Sequence, residues 1–174
     1  MAKRPSPPSR PADLDTLCAA ADSRHRALRA NLTEVSRLLA AVAEDGPPAA
    51  DVLAQFQDLA TFLDRHFTKE EHILWPALAA LADAARQGGP RPPLPFPTML
   101  HPVRLMEGEH ARLHERLDEL RQATAGLAPP VAAAERWQRA CESLAAFDAA
   151  VIEHVRFENQ VLFPLAIEVE GQLS

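Results

Sequence analysis

The chain has no tyrosine, two cysteines and only six glycines in 174 residues, and each scarcity closes off a class of protein. With β-branched and aromatic residues few, and Ala and Leu dominating the 47% hydrophobic content, helices are favoured over sheets. Cys18 and Cys141 stand alone in apolar helical patterns with no CxxC, which argues against a thiolate zinc site and makes both small buried hydrophobes. No apolar run approaches the roughly 20 residues that span a bilayer, so no membrane role is expected. No Lys/Arg cluster opposes the net charge of −6, which argues against a nucleic-acid partner. The N-terminus is basic and proline-rich without an apolar stretch behind it, and so does not read as a secretory signal. The expectation is a soluble, cytoplasmic, single-domain protein long enough to bury a core.

Four amphipathic segments account for most of what is present. Residues 1–12 hold four prolines and nothing to bury, and predict a disordered tail ahead of a domain spanning 13–174. A first helix over about 13–43 carries the stripe Leu14, Cys18, Ala21, His25, Leu28, Leu32, Val35, Leu39, Val42. A second starts near Asp51 as N-cap and carries Val52, Phe56, Leu59, Leu63, His66, Glu70, Ile73; Pro76 kinks or interrupts it before it resumes through Leu78 and Leu81. Gly88 to Pro97 cannot be helix and forms a long, stiff, proline-rich connection. A third helix has Pro102 in its first turn and buries Val103, Met106, His110, Leu113, Leu117 and Leu120, with His114 on the same face. A fourth, over about 131–163, buries Trp137, Leu144, Phe147, Val151, His154, Glu158 and Leu162, and Pro164 repeats the Pro76 arrangement. The fold class is all-α, an up-down four-helix bundle with its long connection between helices 2 and 3.

Each predicted helix places imidazole or carboxylate on its buried stripe. They are His25 on the first, His66 and Glu70 on the second, His110 and His114 on the third, and His154 and Glu158 on the fourth. On a helix, i and i+4 share a face, so His66-x-x-x-Glu70 and His154-x-x-x-Glu158 each aim two donors at one point. Unpaired, such groups in a bundle core cost several kcal/mol or neutralise, so seven at one level require a shared partner. Imidazole with carboxylate suits iron, manganese or zinc. His72 and His101 fall off these faces, and Glu71, Glu109, Glu115 and Glu153 are expected on solvated ones.

Taken in order, His25, His66-x-x-x-Glu70, His110-x-x-x-His114 and His154-x-x-x-Glu158, with both Leu-aromatic-Pro endings, resemble the hemerythrin-like (HHE cation-binding) family over roughly Leu14 to Leu165. The resemblance implies two non-haem iron ions with an oxo or hydroxo bridge, manganese or zinc being the alternatives. It implies Glu70 and Glu158 as bridging carboxylates, His110, His114 and His154 on one ion, and His25 and His66 on the other, which keeps an open position. Local wording, Met106-Glu107-Gly108-Glu109-His110 and Glu158 to Pro164, is similar to the di-iron proteins for repair of iron centres. The cysteine-bearing N-terminal domain of many such proteins is not in this sequence. In that subgroup the first-helix ligand can lie one turn earlier, where Asp22 stands, so His25 and Asp22 remain alternatives.

Three functions follow. The leading expectation is binding of O₂ or a related small oxidant for carriage, sensing or stress protection, with Leu28, Phe62, Leu63, Leu117 and Val151 as lining for the pocket. The alternative is a di-iron redox enzyme acting on nitric oxide or peroxide, or repairing iron–sulfur centres, with a protein reductant as partner. The third is an iron buffer. Oligomeric state is not readable.

Overall fold

The computed structural model describes residues 11–44, 47–127 and 135–173, among which there is no strand. The α-helices are α1 (Pro11–Ala43), α2 (Pro47–Lys69), α3 (Trp75–Gln87), α4 (Leu100–Ala123), α5 (Glu135–Phe157) and α6 (Phe163–Gly171). Two π-helical turns, Glu70–Leu74 and Glu158–Leu162, join α2 to α3 and α5 to α6 without a break. The result is four rods: α1, α2 with α3, α4, and α5 with α6. Each rod packs on the next, and α1 closes the square against α5. Side-chain pairs fix the directions. Arg86 meets Asp15 while Arg29 meets Asp64, so α1 and the second rod are antiparallel. Arg121 meets Asp148 while His110 meets Asn159, so α4 and the last rod are too.

Prolines explain the π turns. In an unbroken α-helix Pro76 would lack the N–H that bonds back to residue 72, and its ring would crowd that carbonyl. The chain instead widens by one residue, so that the Trp75 N–H donates to the Glu70 carbonyl. Pro76 then falls at the start of α3, where a missing donor costs nothing. Phe163 N–H, Glu158 carbonyl and Pro164 repeat the device. The extra residue advances the following helix by about 100° of phase. Ile73, expected on the buried stripe, is therefore 50% exposed, and Leu74 takes its place at 2%.

Other boundaries move less. α2 begins at Pro47, which puts Asp51 inside the helix rather than at its cap, since Pro48 fits a first turn. α4 begins at Leu100, two residues before Pro102. Residues 88–99 carry no helix. Gly88 opens that segment with φ 62°, a left-handed stop for α3, and the Gly89 N–H donates to the Ala84 carbonyl at 3.0 Å. The segment is tied down where Arg91 pairs with Glu170 at 2.8 Å and the Met99 N–H donates to the same carboxylate. Most of the expected tail (1–10) and the expected start of the fourth helix at Val131 lie outside the described residues, while Pro11 and Ala12 belong to α1. No described helix is long and apolar enough to cross a membrane.

The buried apolar residues fall into two clusters rather than one. The larger includes Leu28 to Val42 of α1, Val52 to Phe67 of α2, Leu113 to Leu120 of α4 and Ala140 to Val155 of α5. The smaller gathers Leu14 and Ala21 of α1, the buried faces of α3 and α6, and Met99, Val103 and Met106. Between them lies a layer of polar side chains.

Candidate metal centre

Six of the seven side chains singled out in the sequence meet in this layer: His25, His66, Glu70, His110, His154 and Glu158. His25, Glu70 and Glu158 are fully buried, and the other three are within 1% of it. Ligand atoms of His25, Glu70, His154 and Glu158 lie within 4.8 Å of one another, and so do those of His66, Glu70, His110 and Glu158. Both carboxylates belong to both groups. The grouping differs from the one that the resemblance implied, because His25 sits with His154 and His66 with His110. His114 joins neither group. It lies one turn beyond His110, past Leu113, at the level of the larger apolar cluster and half-buried there. Asp22 faces outward and pairs with Arg26, so the first rod contributes His25.

The Nε2 atom of each imidazole is turned toward the carboxylates. His25 Nε2 stands 3.3 Å from Glu70 and 3.6 Å from Glu158. His66 Nε2 is 3.4 Å from Glu70, His110 Nε2 is 3.2 Å from Glu158, and His154 Nε2 is 3.5 Å from Glu158. Behind three of these rings an acceptor takes the other nitrogen. His25 Nδ1–H donates to Glu71 at 2.8 Å, His66 Nδ1–H to Glu109 at 3.0 Å, and His110 Nδ1–H to Asn159 at 2.8 Å. A neutral imidazole with its proton on Nδ1 presents a bare lone pair at Nε2. Glu71 is in turn held by Arg29 at 2.6 and 3.2 Å, and Glu109 by Lys69. Aromatic rings wall the layer: Phe67 stacks on His25 at 4.0 Å, Trp75 at 5.7 Å, and Phe163 on His110 at 5.9 Å.

Glu71 and Glu109, expected on solvated faces, are thus turned inward. A neighbour of a ligand points about 100° away on its own helix. Here that direction leads into the seam with the next rod. Asn159 and the three rings were equally unassigned. The signal for Trp75 and Phe163 was the repeated Leu-aromatic-Pro ending, and for Asn159 its place directly after Glu158, whereas Phe67, beside His66, had none. Leu28, Leu63, Leu117 and Val151 belong to the larger apolar cluster, with Phe62 packed against it. His72 and His101 are exposed, His72 donating to the Thr68 carbonyl at 3.0 Å. The Cys18 thiol, half-buried, is pushed up to about 12 by burial and by the charges of Asp15 and Glu158, which leaves it protonated and inert.

The electrostatics describe a site short of positive charge. Burial, and then the neighbouring charge of Glu158, holds the Glu70 carboxyl well above the usual range. Burial pushes Glu158 the same way, but His154, His110 and His25 outweigh it and keep it ionised. Burial opposes a charged His25, yet the Glu158 and Glu70 carboxylates raise it to about 9. His66 falls to about 4, through burial and then the charge of His110, and His154 to about 3, through burial above all.

A pair of divalent cations fits these residues on two counts. His25 Nε2, both His154 nitrogens and every carboxylate oxygen of Glu70 and Glu158 are buried with no hydrogen-bond partner, although buried polar groups normally have one. His66 Nε2 and His110 Nε2 approach to 3.0 Å, a contact that two lone pairs accept only around a cation or a proton. Charge does not oppose this: the carboxylates of Glu71 and Glu109 are already paired with Arg29 and Lys69, and those of Glu70 and Glu158 have no cation beside them but the imidazoles. Nitrogen and carboxylate donors in this ratio suit iron, manganese or zinc.

Comparison with known proteins points the same way. Residues 19–166 match the family described as hemerythrin HHE cation binding domain. The chain is 32% identical over 164 residues to a protein of Edwardsiella ictaluri named iron-sulfur cluster repair protein YtfE, covering 91% of this chain and 68% of that one. It is 28% identical over 148 residues to the protein of that name in Yersinia pseudotuberculosis, covering 84% of this chain and 61% of the relative. For Yersinia pestis (strain Pestoides F) the identity is 28% over 117 residues, covering 67% and 47%. The chain therefore spans between about half and two thirds of the length of these relatives.

Proposed function

The chain belongs to the hemerythrin HHE cation-binding domain family, and from that premise we propose that it holds two non-haem iron ions between Glu70 and Glu158 and serves in the repair of iron–sulfur centres. The observation that carries the metal reading is the set of buried, partnerless nitrogen and oxygen atoms shared between two overlapping groups. The repair role is supported by the relatives, which are named iron-sulfur cluster repair proteins. Nothing in the site or among those relatives speaks specifically for O₂ capture, the expectation that led at first. An iron pair here would supply one-electron changes at adjacent centres and an attachment point for a small ligand such as nitric oxide.

The chain's own part is to bind, orient and keep dry. Glu71, Glu109 and Asn159 fix the proton of three imidazoles on Nδ1, so that Nε2 is free to ligate. Glu70 and Glu158 neutralise charge common to both positions. Phe67, Trp75 and Phe163, with the apolar clusters on either side, exclude water and so strengthen every charge interaction inside.

The test is in two stages. Anaerobic loading with ferrous iron should give two ions per chain. The loaded protein, with a reductant, should then restore a hydratase whose iron–sulfur cluster nitric oxide has damaged, faster than the same iron free in solution. Glu158→Ala should do no better than free iron. A loaded wild-type protein that gives no such advantage refutes the repair role.

A further inference from the structure

The two metal positions share both carboxylates but are not equivalent in what stands behind them. At the position of His66 and His110 each imidazole has its Nδ1 engaged, by Glu109 and Asn159, and the two Nε2 atoms already converge at 3.0 Å. At the other position only His25 is held, by Glu71. His154 is buried to the same degree, yet neither of its nitrogens has a partner, so nothing fixes which one carries the proton. A ligand whose orientation and tautomer are set beforehand gives up less freedom on binding.

Access differs in the same sense. The Glu71 side chain is 19% exposed against 7% for Glu109. Arg29, which clamps Glu71 and lies over the Phe67 ring at 5.2 Å, also lines a cleft of about 480 Å³ between α1 and α2, with Thr33, Thr61 and Asp64. On this side an open cleft ends at the arginine whose carboxylate partner grips a site imidazole. Lys69 makes the matching contact to Glu109 on the far side, where the carboxylate is the more deeply set.

Building on the two-metal reading, we infer that the positions bind with unequal strength: the His66/His110 position fills first, and the His25/His154 position fills last and empties first through the Arg29–Glu71 latch. Glu71 and Glu109 are positioning residues in this scheme, each acting on one position through one imidazole.

Cobalt(II) chloride is the probe. The full chain, stripped of metal, is titrated with it in competition with a chromophoric chelator. Two equivalents should bind with dissociation constants at least about tenfold apart, the spread that orienting partners of ligand histidines produce. Glu109→Gln should weaken the tighter event by about 10- to 100-fold and the looser one much less, and Glu71→Gln should do the reverse. Arg29→Met, which leaves every donor in place, should speed chelator removal of one equivalent and not the other. The event left unmoved is the internal control, since a merely structural substitution shifts both. Two equal constants, or variants that weaken both events alike, overturn the inference and leave the metal centre standing. A chain that takes up no cobalt overturns both.

Discussion

Replacing Glu70 by glutamine should stabilise the metal-free protein while destroying the advantage it gains from metal. Without ions, Glu70 is fully buried and has no hydrogen-bond partner on either oxygen. Burial and the charge of Glu158 hold its carboxyl well above the ordinary carboxylate value of 4.5. The sign follows from linkage. In the unfolded chain the carboxyl is ionised at pH 7.5, whereas the folded one must take up a proton or carry a charge in a dry core. The penalty is absent below pH 4.5 and grows as pH rises. Three pH units above 4.5 bound it at about 4 kcal/mol, and the loss of one carboxylate facing His25 returns part of any gain. The expected net effect at pH 7.5 is on the order of 1–3 kcal/mol, a rise in Tm of roughly 3–10 °C for a chain this long. With metal the order reverses. At a metal concentration of 100 times Kd, wild type gains about 3 kcal/mol, and the variant, lacking a carboxylate common to both positions, gains little. Thermal melts with chelator and with cobalt(II), at pH 5 and pH 7.5, measure all of this. A Glu70→Gln protein whose metal-free Tm falls below wild type at pH 7.5 would refute the reasoning.

Three further outcomes can be checked on the same material. Metal-free protein should be most stable near pH 6.5: below it, His66 and His154 protonate far more readily unfolded than in the fold, where they sit at about 4 and about 3. Above it, the stabilisation from His25 fades as pH passes through about 9, and Glu70 adds to the loss, so urea melts should show slopes on the order of 1 kcal/mol per pH unit on either side. A steady rise from pH 5 to 9 would contradict that assignment. Leu74→Ala should cost about 2–5 kcal/mol and Ile73→Ala within about 0.5 kcal/mol, the reverse of what an unbroken α-helix demands. Phe163→Ala, which removes a fully packed ring stacked on His110, should cost about 3–5 kcal/mol by the same urea assay and loosen cobalt binding.

Much of the bundle was legible because its signals are local. The stripes through Leu28, Leu59, Leu117 and Val151 hold helical spacing, and His66 with Glu70, or His154 with Glu158, share a face by arithmetic. What was not legible depends on a neighbouring rod. The inward turn of Glu109 is set by where α2 lies, with Lys69 and His66 waiting for it, and α4 alone carries no trace of this. His114 satisfies the same i+4 rule as those two pairs, yet one turn along the bundle is enough to leave the polar layer. Ile73 failed for another reason. The prolines announced a disturbance, but the choice between a kink and an added residue rests on the hydrogen bond from Trp75 to Glu70, which the pattern does not display.

The polar layer also divides the protein's cooperativity. The apolar clusters on either side share no residue, and every rod threads both. Between them lies a slab of imidazole and carboxylate in which many buried polar atoms have no hydrogen-bond partner. Ions spanning that slab would be the fastening between two units that could otherwise open separately. Hydrogen exchange on the metal-free protein should then show the half built on α3 and α6 opening at lower free energy than the half built on α2 and α5, with the two merging into one transition when metal is added. A single protection class in the metal-free protein would mean that the rods alone carry the coupling. On this view a metal held in the layer would have an architectural duty as well, making one folding unit out of two.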